Sequence, residues 1–398
     1  MSQGHEYFSS EKEDSTVHLL VDDSNKTDAI PPKKKCPYAR PGKFVLFLAA
    51  SAYALYCLGG AYQSFGPSNT EVNQFLSSTV DSKERCEAKI AYKLNQTFEY
   101  NPEEYKSLNV AVFGHAKFST VSFERHDSAK VVIEPEIFIS SIKVADKVSV
   151  GSHTKEGAYG FNVKGPRWFS SHKDCISANI VVKIPNDLED VERLWVRLPY
   201  GHVSTDFGKK LIFQKLHIEL GSGDIHVKDK AANQIELTTG VGKIKLENSV
   251  SGTVSLYTRR GDITASDIRS NHVIGGTADG NVDLTVKEAR LVYAKNFNGV
   301  SSIKVESLAP EVDCRDGYHF AAGTVNGHTY LSLPAFYKGR FSATTFNGKS
   351  EISIKDDNDL HFTKNYTGFK RGYKGDDPKS PSYAESAAFN GDTKFVFV

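Results

Sequence analysis

The sequence predicts an all-β protein: a β-solenoid of about 19-residue coils, preceded by one transmembrane helix and a disordered N-terminal tail. Three observations predict it. A glycine recurs at a fixed period, apolar residues keep the same beat, and an uncharged run long enough to span a bilayer lies near the N-terminus.

The repeat carries the fold assignment. Gly223, Gly242, Gly261, Gly280 and Gly299 are each 19 residues apart. Four copies continue alike, as Asp224-Ile225-His226-Val227, Lys243-Ile244-Lys245-Leu246, Asp262-Ile263-Thr264-Ala265 and Asn281-Val282-Asp283-Leu284. The fifth reads as slipped by two residues, to Ile303-Lys304-Val305. Leu216, Ile235, Val254, Val273 and Val292 mark a second apolar position with the same period. Apolar residues two apart describe strands with one buried face. Nineteen residues cannot bury that face alone, so copies must stack, at about 4.8 Å per coil. An antiparallel meander would also give a beat, but hairpins do not require identical positions to align in every copy. Glycine before each first strand supplies positive φ or close backbone approach.

Asp224, Lys243, Asp262 and Asn281 would stack as one outward column. As turn residues they need no further role. The alternative is a carboxylate pair, Asp224 and Asp262, as in polysaccharide-cleaving β-helices. Two coils place them about 9.6 Å apart, beside the roughly 6.5–9.5 Å of inverting glycosidases. Lys243 would stand between them, which favours turns.

The repeat extends in looser form. Gly201-His202-Val203 precedes it; Asn326-Gly327, Asn347-Gly348 and Asn390-Gly391 follow. Phe297-Asn298-Gly299, Phe346-Asn347-Gly348 and Phe389-Asn390-Gly391 share a tripeptide, and Lys394–Val398 reads as a closing strand. Upstream strands are expected at Leu108–Phe113, Val131–Ile133, Val144–Val150, Ile180–Ile184 and Leu194–Leu198. Polar residues 364–388 read as a loop.

The composition agrees with this. Phe and Tyr number 24 and 18 against one Met, a bias that suits pleated surfaces. A net charge of +1 argues against a nucleic-acid partner.

Phe44 to Tyr62 carries no charge and, as a helix, would extend about 29 Å. Lys33, Lys34, Lys35, Arg40 and Lys43 precede it and no Lys or Arg follows until Lys83, which puts the N-terminus in the cytosol. The charged leader is too long for an ordinary cleaved signal peptide. The predicted divisions are a disordered cytosolic tail (1–43), a signal anchor (44–64), a partly helical neck (65–105) and the solenoid ectodomain (106–398). Within the tail, Asp14, Ser15 and the Leu19-Leu20 pair resemble an acidic dileucine sorting signal with the acid one place early, and Cys36 sits where palmitoylation occurs.

On the lumenal side, Asn95-Gln96-Thr97 and Asn365-Tyr366-Thr367 are glycosylation sequons. Cys86, Cys175 and Cys314 share an oxidising compartment, which allows one disulfide by any of three pairings. No C-x-x-C pair, H-E-x-x-H, G-x-S-x-G, P-loop or G-x-G-x-x-G occurs, so no catalytic residue, cofactor or metal is assigned. Asp357-Asn358-Asp359 matches the metal-binding D-x-D of Golgi glycosyltransferases, yet no βαβ pattern accompanies it. Thirteen Phe or Tyr residues between Tyr330 and Phe397 either fill the core or form a platform for sugar rings.

From about Ile180 to Val305 the chain resembles the uncharacterised bacterial and fungal domains named "putative adhesin". The resemblance rests on Ile184-Pro185, Leu194-Trp195-Val196-Arg197-Leu198 and tandem Gly-Asp-Ile units such as Gly221-Ser222-Gly223-Asp224-Ile225. It implies a β-solenoid and brings no catalytic residues. The long tail and signal anchor look more like a fungal membrane protein than a bacterial one. The expectation is a type II membrane glycoprotein at the cell surface or in the secretory or vacuolar lumen, whose ectodomain binds a glycan or protein ligand without catalysis. The alternatives are an enzyme acting on polysaccharide and a cargo or sorting receptor.

Overall fold

The computed structural model describes residues 90–398 except 93–95, 115, 117, 167–174, 207–210, 311–316 and 355–358. The tail 1–43, the apolar run 44–62, Asn95, Cys86, Cys314 and Asp357 lie outside the described residues. Among the described residues, no helix is long and apolar enough to cross a membrane.

The predicted solenoid is there, and its coils are parallel. Strands Ile225–Val241, Ile244–Arg260 and Ile263–Asp279 each make one circuit. Ile225 lies opposite Ile244, Ile244 opposite Ile263, and Ile263 opposite Val282. All four are at most 1% exposed. On the facing layer Leu216, Ile235, Val254, Val273 and Val292 stand in one register and are fully buried. The core is the dry space between these two layers. Burial of a full aliphatic side chain contributes about 1.5–3 kcal/mol, and each coil adds several.

Two corners close each circuit. At the first, Gly223, Gly242, Gly261, Gly280 and Gly299 have φ between 125° and 143°. A Cβ on Gly261 would stand 2.1 Å from the carbonyl oxygen of Gly242. Only glycine permits both the dihedral and the approach. At the second, Asp229, Asn248 and Asp267 take φ of 54°, 49° and 57°, the left-handed region that Asn and Asp tolerate best among residues with a Cβ. The sequence reading identified the first corner and passed over the second.

The fifth copy does not slip. Ser301 lies opposite Val282 and Ile303 opposite Leu284, so the register holds. Ser301 takes the apolar position fully buried, and its hydroxyl donates to the Gly323 carbonyl at 2.7 Å. A small residue that satisfies its own polar atom substitutes there for an isoleucine.

The ends of the stack depart from simple winding. The coil made by Gly339–Asn347 and Ser350–Ile354 is the outermost at the C-terminal end. The last strands of the chain, Tyr383–Asn390 and Thr393–Phe397, insert between that coil and His319–Asn326 with Thr329–Leu333. Lys394–Val398 is thus an interior strand and not a closing one. Closure falls instead to an antiparallel hairpin, Leu360–Tyr366 and Phe369–Lys374, which pairs with Gly339–Asn347. Its turn accepts Thr345 N–H at the Gly368 carbonyl and Ser350 N–H at the Thr367 carbonyl, both at 2.8 Å. Residues 364–388 are therefore mostly strand, because Phe369–Lys374 pairs with Gly339–Asn347 and Tyr383–Asn390 is held between two coils.

The N-terminal end mirrors this. Ser107–Phe113 lies between Ala158–Lys164 and the first part of Asp190–Asp206. Phe118–His126 lies between Ile176–Pro185 and the rest of that strand. The hairpin Ser149–Lys155 with Ala158–Lys164 closes one layer, and Val131–Ile139, antiparallel to Ile176–Pro185, closes the other. Residues 144–150, expected to be strand, divide into the helix Ile142–Ala145 and the start of Ser149–Lys155. In the 65–105 segment, Ile90–Tyr92 and Phe98–Tyr100 are strands on Val131–Ile139, and residues 65–89 and 93–95 lie outside the described residues.

Gly261→Ala should cost about 2–4 kcal/mol, from strain at positive φ plus the carbonyl clash. Gly151→Ala, whose Cβ would meet nothing within 4 Å, should stay within about 0.5 kcal/mol. Denaturant midpoints of the two variants against the parent check this, and equal losses would refute the corner argument.

Candidate binding face

Side-chain ladders fix the glycine corner from inside and outside. Inside, Thr239, Thr258 and Thr277 are at most 3% exposed and donate their hydroxyls to the carbonyls of Gly223, Gly242 and Gly261 at 2.9–3.2 Å. Thr324 and Thr345 do the same to Gly299 and Gly391. Outside, Asp224 Oδ1 accepts Lys243 N–H at 2.7 Å and Asp262 Oδ1 accepts Asn281 N–H at 2.9 Å. These carboxylates bind the neighbouring coil's backbone, which is the turn role expected for the column.

Toward the C-terminal end the corner becomes an amide ladder. Asn298 Nδ2 donates to Asp279 at 2.6 Å, Asn326 to Asn298 at 2.9 Å, Asn390 to Asn326 at 2.8 Å and Asn347 to Asn390 at 2.7 Å. Each rung fixes the backbone direction of the residue before it. Those residues are Phe297, Val325, Phe389 and Phe346. Their strand neighbours Asn296, Thr324 and Thr345 point inward, so alternation turns them outward. Phe297 is 44% exposed, Phe389 50% and Phe346 74%. The Phe346 and Phe389 rings stack at 5.0 Å with 4° between planes. The result is an apolar ridge on the solvent side, following the stack axis.

A polar cluster lies on the same face, beside the ridge. Register sets Tyr293, Ala321, Glu385 and Ser342 in one row and Lys295, Gly323, Ala387 and Thr344 in the next. The second row is two residues from the ridge along each strand, about 7 Å. Ala321, Glu385 and Ala387 point outward yet are only 5–7% exposed. Longer neighbours cover them. Lys295 Nζ sits 5.3 Å from the Tyr293 ring centre and the Arg340 guanidinium 5.6 Å from that of Tyr383.

Burial dominates the electrostatics here. It lifts the Glu385 carboxyl to about 7, against the Tyr383 hydrogen bond and the charges of Arg371 and Lys295. It lowers the Lys295 ammonium to about 8, opposed by Glu385. Tyr383 is pushed well above its ordinary range by burial and by Glu385. Glu385 Oε2 has no hydrogen-bond partner among the described residues. The half-buried Tyr293, Lys295 and Thr344 therefore bring hydroxyls and an ammonium to the surface beside aromatic rings, above a buried carboxyl.

The other expected sites are dispersed. Asn365 is exposed on Leu360–Tyr366, with Oδ1 accepting Lys370 Nζ at 2.5 Å. Cys175 is disulfide-bonded and 3% exposed. Of the thirteen late aromatics, Tyr337, Phe341, Phe395 and Phe397 are core residues at most 1% exposed. Phe336, Phe346, Phe362, Tyr366 and Phe389 are 40–74% exposed. Core filling thus accounts for the first four, and the other five stand on the surface. The Lys295–Glu385 cluster was missed because its rows join residues up to 92 apart in sequence. Aligning the Phe-Asn-Gly tripeptides would have found it.

The Toastrack DUF4097 family matches residues 121–361. The chain belongs to this family. Among solved structures, a "putative adhesin" from Bacteroides fragilis is 14% identical, with TM-score 0.37, covering 76% of this chain and 98% of that one. A "putative adhesin" from Parabacteroides merdae is 13% identical, with TM-score 0.34, covering 59% and 95%. A "putative cell adhesion protein" from Clostridium sporogenes is 10% identical, with TM-score 0.25, covering 76% and 98%. No curated protein matches. The Toastrack match ends at 361, ahead of Tyr383–Asn390, which carries Glu385 and Phe389.

A carboxyl raised to about 7 in the folded state binds its proton more tightly folded than unfolded. Its stabilising contribution is full below the ordinary carboxyl range and is lost as pH rises toward 7. The loss should be at most about 3 kcal/mol. In Glu385→Gln that pH dependence should disappear. Denaturation midpoints from pH 4.5 to 7.5 read it, and parallel curves for parent and variant would refute the burial argument.

Proposed function

We propose that the chain is a type II single-pass membrane glycoprotein that displays its Toastrack domain on the lumenal or extracellular side as a non-enzymatic binding module. The observation that carries this reading is the Phe297–Phe389–Phe346 ridge. Exposed phenylalanines cost solubility. Here they are held in register by a ladder of four asparagine amides on Asp279 and stand beside a cluster of half-buried polar side chains. Aromatic faces stack against the apolar faces of sugar rings or partner side chains, while the cluster supplies orientation. Pre-ordering by the ladder lowers the entropy lost on binding. The flanking lysines, the apolar run 44–62 and the sequons at Asn95 and Asn365 support the membrane placement.

Phe346→Ala with Phe389→Ala should reduce capture on glycan or protein arrays at least tenfold while leaving the far-UV circular dichroism unchanged. Equal capture by parent and variant would remove the ridge from the reading. Protease protection of sealed vesicles tests the placement. The tail 1–43 should be cut, and the domain should be protected and carry N-glycans.

A further inference from the structure

We propose that an N-glycan on Asn365 guards the free sheet edge at the C-terminal end of the stack and prevents end-to-end pairing with a second copy. The inference rests on the lumenal placement above. Leu360–Tyr366 pairs on one side only, with Phe369–Lys374; among the described residues nothing pairs with its other side. From His361 to Tyr366 every residue is exposed, including Phe362 at 40% and Tyr366 at 67%. The strand, Leu-His-Phe-Thr-Lys-Asn-Tyr, holds three aromatic-type rings, no proline and one charge. An edge of that composition is a template for another strand.

A matching edge exists at the far end of the same layer. Ser149–Lys155 pairs with Ala158–Lys164 and with no other described strand. A second copy could therefore add by either edge, head to head or head to tail, and head-to-tail addition does not close. Interior strands have neighbours on both sides, and the C-terminal residues that would fray first are among them. The exposed backbone is thus concentrated at the two ends. Asn365 lies on the outermost strand, one residue before the turn. A bulky, hydrated glycan there would occupy the space an incoming strand needs. Lys364 beside it is the usual charged guard for such an edge, but a single charge is a weak barrier for seven residues.

The test uses the full chain made in glycosylating cells, purified in detergent and sized by light scattering over a hundredfold concentration range. Asn365→Gln removes the glycan. Thr367→Ala also removes it, yet keeps Asn365, its Lys370 contact and the backbone carbonyl that binds Ser350. Asn95→Gln removes one glycan elsewhere. Both glycan-free variants at 365 should associate at concentrations at least tenfold below the parent, and Asn95→Gln should behave as the parent. Adding Tyr366→Lys to Thr367→Ala should restore the parent's size by charging the edge. Parental sizes for both variants, with Asn365 glycosylated in the parent, would overturn the guard and leave the lumenal placement standing. A glycan on Asn95 alone would do the same. Glycans at neither site would overturn the guard and the placement together.

Discussion

The fold depends on one close contact, repeated. At each glycine corner a backbone carbonyl of one coil lies where the next coil's Cβ would be. Through the 19-residue repeats the contact sets the coil length, since a glycine must fall at every corner. With the length set, Ile meets Ile and Leu meets Leu down the core, and hydrogen-bonding side chains meet down the corner. Where the period does change, at the 28-residue step from Val292 to Phe320, Gly327 still meets the Gly299 carbonyl and the corner is unchanged.

The candidate face is a consequence of the same register. A solenoid converts a periodic sequence into columns, so a residue type repeated at one position becomes a continuous surface feature. Thr and Asn columns satisfy the corner carbonyls and amides. The residue next to each Asn is then turned outward with its direction fixed. Phenylalanine at three of those positions gives a ridge; the rows beside it bring Lys295 and Glu385 into electrostatic contact across Ala321 and Gly323. Neither feature requires a long loop or a cleft, which is why short-range sequence motifs do not announce it.

The middle of the fold was legible because it is periodic. Gly223 through Gly299, the Ile225 and Leu216 columns and the turn role of Asp224 and Asp262 all follow from the 19-residue beat. The second corner was less legible, since Asp229, Asn248 and Asp267 look like ordinary polar residues until their φ angles are known. The ends were read least well. Lys394–Val398 has the alternation of an edge or an interior strand equally, and no local pattern states that its neighbours are residues 329–333 and 350–354. At Ser301, burial with a satisfied hydroxyl mimicked a slip in the beat. At 144–150 and 364–388, mixed polar and apolar residues gave no single period, and tertiary pairing decided the outcome.

The interior placement of both terminal coils bears on how the chain can be made. During synthesis the 319–333 and 339–354 segments exist before the strands that separate them. They must hold a gap one rung wide, or open one, until residues 383–397 emerge from the ribosome. The C-terminal end of the stack therefore cannot grow vectorially, coil upon coil, as its centre can. Its last step is an insertion between two strands that would otherwise pair with each other, and loop closure over 43 to 64 residues makes that step slow compared with adding the next 19. Loss of residues 383–397 would not trim the end of such a stack; it would leave a missing rung within it.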